Sequence, residues 1–465
     1  MFLVYPRPVM DDPAKPSTPP DPRDAKIAQL EARIAELEEI INRMQRGNKR
    51  QAAPFSKGLP KPNPKKPGRK SGDGYGTPPV FRAMPEPGPG DQVIDVPPPA
   101  ACPSCGSVAA VEDHVDQQVQ RDIEVRTVVR RFVIRSVRCA CCGKCRRGSH
   151  PLQTTAATGC CASQVGPLAR SAMAFMNKSL GASLGKISDF FGTLWDLTIT
   201  PGGVNHAIQS IGRRCKPDYT ALRAQVRKAR HLTCDETGWR IGGIGHWLHA
   251  ATSKDLCAYL IDKARGTDAT DQLIGEDFAG TLVHDGWRPY DRYGRATHQQ
   301  CHTHLIRRCN EMIESATPAR AAFPRTIKSI LQRALGLRDE REAGTRSLRS
   351  TRVWATKLTG QILVLCKPRK ANRNNDRLAG FLYRHARQLF TFLRDPQTDA
   401  TNWRGEHAMR AAVVNRKVWG GNRTRGGADN QAILMSVLRT LKLRGVDAID
   451  WLVKKLTNQN PPLLT

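Results

Sequence analysis

HLTCDETGWR, residues 231–240, and GTLVHDGW, residues 280–287, are the two stretches on which the fold turns. Both have the length and the apolar-polar patterning of strands. Between them, GHWLHAA (245–251) and CAYLI (257–261) read as two more strands. Glycines separate the first pair and Ser253-Lys-Asp255 the second. The pattern is a meander of three short strands, then a fourth that ends on Asp285. A helix is expected next, roughly over residues 297–313.

One aspartate, Asp235, falls within the first strand, and the other, Asp285, ends the fourth. In an RNase H-like sheet strands one and four pair, so the two carboxylates face one another in a cleft. Two close carboxylates repel unless a cation lies between them. Hard divalent ions such as Mg²⁺ take oxygen ligands and suit phosphates. Two such ions about 4 Å apart can activate an attacking oxygen and stabilise a leaving one. The candidate third carboxylate is Glu406, in TNWRGEHAMR (401–410) at the start of a helix. The distance along the chain from Asp285 to Glu406 requires an insertion. Residues 314–394 read as helical, with basic stretches at 338–352 and 367–377.

Charge narrows the partner. The 465 residues carry 73 lysines and arginines against 42 acids, a formal net charge of +31. With a sequence pI near 10.1 the expected partner is a polyanion. Hydrophobic residues make up 39% of the chain, enough for real cores, which excludes a wholly disordered basic protein. No apolar run approaches the roughly 20 residues of a membrane-spanning helix. The N-terminal MFLVYPRPVMDDP lacks a signal-peptide core, so the expected location is the cytosol. Thiols stay reduced there, and the 14 cysteines are expected as metal ligands or buried apolar residues.

Outward from the core, the chain reads as a multidomain α+β protein. Residues 1–22 are proline-rich and read as disordered. Residues 23–46 carry a heptad seam, Ile27, Leu30, Ile34, Leu37, Ile41 and Met44, which favours a parallel two-stranded coiled coil and hence a homodimer. Residues 47–100 form a basic Pro/Gly-rich linker whose Lys65, Lys66, Arg69 and Lys70 suit DNA phosphates. Residues 101–165 hold Cys102-Pro-Ser-Cys105 and a second cluster at Cys139, Cys141, Cys142 and Cys145. Two such knuckles joined by a hairpin over residues 124–138 make a zinc ribbon-like module, because Zn²⁺ prefers four tetrahedral thiolates in a closed structural site. The cleanest set is Cys102, Cys105, Cys139 and Cys142; Cys145 can replace one of the second pair. Residues 166–228 are helical. There Thr200-Pro201 resembles an N-cap and first helical position, in a helix-turn-helix-like arrangement. The interrupted catalytic core then occupies 229–313 and 395–455, around a helical insertion at 314–394, with a tail at 456–465.

Asp235-Glu-Thr, LVHDGWRPY (282–290), CHTHLIR (301–307), Thr401-Asn402 with Glu406, and the closing RGGA…AIL…KLRGVD pattern (425–447) resemble transposases of the Insertion Sequence 66 family, DDE type. The order of the modules resembles that family as well, over roughly residues 25–455. The resemblance implies a DNA transposase that cuts and joins phosphodiesters at an element's ends. Asp235, Asp285 and Glu406 match its triad for Mg²⁺ or Mn²⁺. Water is the first nucleophile it implies and a 3′-hydroxyl the second. Its partners are double-stranded DNA, as terminal inverted repeats and target, together with a homodimer or larger assembly on that DNA and accessory proteins of the same element. Two positions depart from the family's pattern: Trp403 where a second asparagine is usual, and His407 where an arginine is usual. Competing readings are a catalytically inactive DNA-binding relic or repressor, and a structure-specific nuclease on the same fold.

Some single residues have their own reading. Glu236 alternates to the face opposite Asp235 and reads as a supporting residue. His284 reads as structural for the same reason. Cys301, His302 and His304 read as packing or phosphate-contacting residues rather than a second zinc site. Trp239, Trp287 and Trp419 read mainly as core. Arg416, Lys417, Arg423 and Arg425, close after Glu406, are expected to hold DNA near the metals.

Overall fold

A computed structural model of the chain describes residues 29–34, 36–38, 88, 92–97, 99–108, 115–116, 118–120, 123, 126–154, 156–158 and 164–457. The chain divides into two units, Met1–Asp122 and Ile123–Thr465. In the first, residues 29–34 and 36–38 are helical, and Leu30, Ile34 and Leu37 of the heptad seam are exposed. The rest of the seam and Lys65, Lys66, Arg69 and Lys70 lie outside the described residues, as do residues 1–22.

The second unit opens with a small hairpin, β1 (Ser136–Arg138) against β2 (Cys145–Arg147). The expected hairpin over 124–138 is therefore corrected. Described residues 126–135 form no strand, and Val128, Val129 and Val133 are exposed. The hairpin instead brackets the second cysteine cluster.

Three helices follow: α1 (Pro167–Lys178), α2 (Leu184–Trp195) and α3 (Pro201–Lys228). Thr200 caps α3 by accepting the Gly203 amide, with Pro201 in the first turn, where its missing N–H costs nothing.

The sheet has five strands. β3 (His231–Ile241), β4 (Ile244–Thr252) and β5 (Cys257–Asp262) form the expected antiparallel meander. Helix α4 (Thr267–Ile274) crosses over to β6 (Thr281–His284), which lies parallel to β3 on its free side. β7 (Thr297–Gln300) then adds parallel to β6, giving the order β5-β4-β3-β6-β7. This last strand corrects the expected helix over 297–313, which begins only at His302. β7 reads THQQ, and its buried side chains are polar, so hydrophobic periodicity does not reveal it. Those side chains are bonded instead. Gln299 donates to the Leu389 carbonyl at 3.0 Å, and Thr391 donates to the His298 carbonyl at 2.7 Å. The end of the insertion thus covers the sheet's outer edge, as an unpaired edge requires.

α5 (His302–Glu314) leads into the insertion, α6 (Pro318–Glu342), α7 (Leu348–Cys366), α8 (Arg373–Arg384) and the short α9 (Thr391–Arg394). Ile327, Leu331, Leu358, Ile362, Leu378 and Leu382 close a core belonging to these helices. α10 (Trp403–Trp419), α11 (Arg425–Leu443) and α12 (Ala448–Leu456) complete the chain. α10 and α11 cover the face of the sheet that carries Trp239, Leu248 and Tyr259. The opposite face buries Leu232, Cys234, Leu260 and Tyr290. α11 and α12 also share a core with α1, α2 and α3 through Leu434, Val437, Leu452, Ile208 and Ile211. Among the described residues no helix is long and apolar enough to cross a membrane.

Lys178 ends α1 inside this last core. Its ammonium donates to Gln431 and lies 6.0 Å from the Trp419 ring centroid. Burial pushes it down to about 7. Below that value both folded and unfolded chains carry the proton, and the full cost of burying the charge is felt. From about 7 to about 10.4 the folded chain alone has shed it, so stability rises with pH. A Lys178→Met variant should be more stable than wild type at pH 6, by on the order of 3 kcal/mol. The gain should shrink by pH 9. Urea unfolding at the two pH values checks this; an equal gain at both would mean the lysine is not buried as a charge.

Candidate active site

The parallel pairing of β3 with β6 matches Thr233 to Val283. Two residues further along each strand direction stand Asp235 and Asp285. Side chains alternate with a period of two, so both carboxylates rise from the face that α10 covers. Asp235 accepts the Glu236 amide at 3.0 Å, and Asp285 accepts the Trp287 amide at 2.9 Å. Those bonds leave each carboxylate with a second oxygen. Gly286 makes the tight exit from β6 possible. Its φ is +90°, and a β-carbon there would stand 2.8 Å from the Phe381 ring.

Glu406 lies in the first turn of α10, where the helix dipole favours an anion. Its neighbour Gly405 sets how close that helix comes. A β-carbon on Gly405 would lie 2.5 Å from Asn402 Oδ1 and 3.1 Å from Asp235 Cβ. Only a glycine permits this contact between the helix carrying Glu406 and the strand carrying Asp235. Asn402 is fully buried, and neither its amide oxygen nor its nitrogen has a hydrogen-bond partner.

The electrostatics show the crowding of acids. Burial, then Glu236, Asp285 and Glu406, hold the Asp235 carboxyl up at about 7. Glu236 is raised as well, first by its burial and then by Asp285, against the stabilising bonds from Arg265 and Tyr290. It points to the opposite face, as its alternation requires. There it meets Arg265 at 3.0 Å and the Tyr290 hydroxyl at 3.3 Å. Arg265 is itself stacked between Trp247 and Trp287, 4.4 and 4.8 Å from their ring centroids. Glu236 thus supports the site from behind with a charge already paired.

His284 is buried behind Asp285. Its Nδ1 accepts the Gly286 amide, so its Nε2–H donates to His298 Nδ1 at 3.0 Å. His298 Nε2 in turn donates to the Tyr293 carbonyl. This chain of neutral rings fixes the turn that presents Asp285. Burial holds both histidines below their ordinary range.

The remaining candidates are placed as follows. Cys102 and Cys139 each open the same backbone turn. The Gly106 amide donates to the Cys102 carbonyl and the Gly143 amide to the Cys139 carbonyl, with φ of +73° and +66° at the glycines. In each turn the following backbone amides point at the first cysteine's sulfur and hold its thiol below the ordinary value. Cys105, Cys141, Cys142 and Cys145 are exposed. Arg416 turns back onto β3, donating to Thr237 Oγ1 at 3.1 Å and to the Gly238 carbonyl. Lys417, Arg423 and Arg425 stay exposed, Arg425 beside Asp429 at 2.9 Å. Trp239 is core and donates to Asn422 Oδ1.

The charges of Asp285 and Glu406 are both felt at Asp235. Among the described residues, however, no three Asp, Glu, His or Cys side chains are drawn tightly enough to close on a metal ion. The donors are all hard carboxylate oxygens, the chemistry that suits Mg²⁺ or Mn²⁺. Sequence reasoning had named the carboxylates and missed Gly405 and Arg265, whose roles exist only in three dimensions. A glycine immediately before the glutamate was the one signal available for the close approach.

A family model described as transposase IS66 family matches residues 163–430. No curated protein matches the chain.

In a helix interior, glycine to alanine ordinarily adds about 1 kcal/mol of stability. Gly360→Ala, where the new methyl meets nothing, should behave so. Gly405→Ala should do the reverse, lowering the unfolding midpoint as α10 is pushed off β3. Thermal unfolding of the two variants decides it, and stabilisation by both would mean that the close approach is absent.

Proposed function

The chain belongs to the IS66 family of transposases, and from that premise we propose that it cuts and joins DNA phosphodiesters at the ends of its own element. The proposal gives Asp235, Asp285 and Glu406 the role of holding Mg²⁺ or Mn²⁺ on an RNase H-like sheet. The observation that carries it is the parallel register of β3 and β6, which puts two aspartates on one face beneath the helix bearing Glu406. The strand order, with an antiparallel three-strand meander and β6 and β7 added parallel beside β3, supports the fold assignment.

When bound, the divalent ions supply a charge that activates the attacking oxygen and offsets the one that leaves. The residues of this chain do the rest. Asp235 and Asp285 present oxygens from a rigid sheet, so little reorganisation is needed as the phosphate reacts. Glu406 comes from a separate helix and completes the set. The surface contributes long-range attraction through the net charge of +31. Lys417 in the last turn of the Glu406 helix, and Arg423 and Arg425 just beyond it, are exposed and are proposed to hold a bound DNA backbone. Arg416 serves the fold there, tying α10 to β3.

Cys102, Cys105, Cys139 and Cys142 are proposed as a structural Zn²⁺ site, with Cys145 as the substitute in the second pair. The matching turns and amide-stabilised first thiols support it. The exposed Leu30, Ile34 and Leu37 support pairing of two chains through the heptads.

Asp235→Ala, Asp285→Ala and Glu406→Ala should each abolish Mn²⁺-dependent cleavage and joining of a labelled duplex carrying the element's end. Mobility-shift assays of the same proteins should show DNA binding retained. Unchanged cleavage by Asp285→Ala would remove the triad. Metal analysis of purified protein should find one zinc per chain, lost on Cys139→Ser; a zinc content unaffected by that change would rule the cysteine site out.

A further inference from the structure

The CHTH sequence at 301–304 is not absorbed by the triad, yet it lies against it. Cys301 is the N-cap of α5, and Asn402 is the N-cap of α10. The two helix starts are joined. The Asn402 backbone N–H donates to Cys301 Sγ at 3.1 Å, and the His302 backbone N–H donates to the Ala400 carbonyl at 3.1 Å. His302 is anchored separately, through Nε2 to the Leu389 carbonyl at 2.7 Å. The thiol also lies against the amides of Thr303 and His304. Two helix N-termini therefore converge at one point, and both dipoles favour an anion there.

Glu406 is that anion, one turn into α10. His304 is one turn into α5, and helical side chains lean back toward the N-terminus, so its ring comes to the junction. Its Nδ1 is buried with no hydrogen-bond partner and stands 3.9 Å from Glu406 Oε1. The side chain as a whole is 30% exposed, so the ring's other edge faces out. An orphaned buried nitrogen thus stands within 4 Å of a carboxylate oxygen.

We propose that His304 is a positioning residue of the reaction, whose Nδ1–H donates to Glu406 and fixes where that carboxylate faces Asp235 and Asp285. Cys301 and Asn402 form the latch that brings the two helix starts together. The inference rests on Glu406 being the third carboxylate. It gives the insertion a requirement: after the intervening helices, the returning chain must be registered on the start of α5 before the triad is complete.

Asparagine and glutamine separate this role from direct contact with substrate. The amide nitrogen of asparagine falls where imidazole carries Nδ1, and that of glutamine falls nearer Nε2. His304→Ala, His304→Asn, His304→Gln and Glu406→Ala are compared with wild type. Two quantities are read: Mn²⁺ binding to the DNA-free protein, from loss of the free-ion electron paramagnetic resonance signal, and cleavage of the end-bearing duplex as Mn²⁺ is varied. His304→Ala should raise the half-saturating Mn²⁺ concentration about tenfold, the scale set by groups that orient metal ligands. His304→Asn should restore most of that loss, and His304→Gln should not. Rescue by glutamine alone would overturn the proposal, because the outward nitrogen would then be the one in use. An unchanged half-saturating concentration in His304→Ala would overturn it too. Should alanine fail to fold, the asparagine–glutamine pair still decides. If Glu406→Ala itself binds Mn²⁺ and cleaves as wild type does, the triad fails first, a result distinct from a dead Glu406→Ala beside an unaffected His304→Ala.

Discussion

The parallel pairing of β3 with β6 is the constraint on which the rest depends. A shift of one residue in that register would turn Asp285 to the face of Glu236 and leave Asp235 alone under α10. Burial enforces the register. Leu232 and Cys234 must face the core that holds Tyr290, and Trp239 and Ile241 must face α10 and α11. The two aspartates occupy odd positions of the same alternation that packs the sheet. The placement of the two aspartates is thus a by-product of hydrophobic patterning, and burial together with the nearby acids raises the proton affinity of Asp235.

The strands carrying the aspartates were legible because each has an ordinary pattern. HLTCDETGWR alternates, GTLVHD runs apolar to its end, and the meander between them is punctuated by glycine and serine turns. Caps were legible too, Thr200-Pro201 being an example. What escaped was structure whose stabilisation is polar. β7 is held by parallel pairing and by bonds from Gln299 and Gln300 to residues 388 and 389, far along the chain. No local pattern in THQQ encodes those partners. The hairpin around Cys139–Cys142 escaped for the opposite reason. The stretch before it alternates well but finds no second strand among the described residues. In the site, chemistry-bearing residues were recognisable by type, whereas Gly405, Asn402 and His304 matter through the distances they keep.

The insertion illustrates how a catalytic unit can be split. Its helices close on an aliphatic core of their own, shared with Leu305 and Cys309 of α5. Its far end returns to seal β7, and Asp395 reaches His231 at the start of β3, 2.6 Å away. The return path is therefore pinned at several places before Glu406 is reached. A loose tether of that length would leave Glu406 to diffuse over a large volume, at an entropic cost that grows with loop length. A folded insertion converts the separation into a fixed offset.

α11 has one side on the strands and the other on α3, with Ser436 and Thr440 bonded to β5 and Asn430 lying against α3. Neither the sheet's second face nor the helical layer of α1 to α3 can close until it is available, so contacts spanning more than 200 residues must form late. Until that helix docks, the chain exposes two incomplete apolar surfaces, the state that chaperones recognise. The sheet and the helical layer therefore reach their final form together, with the docking of a single helix.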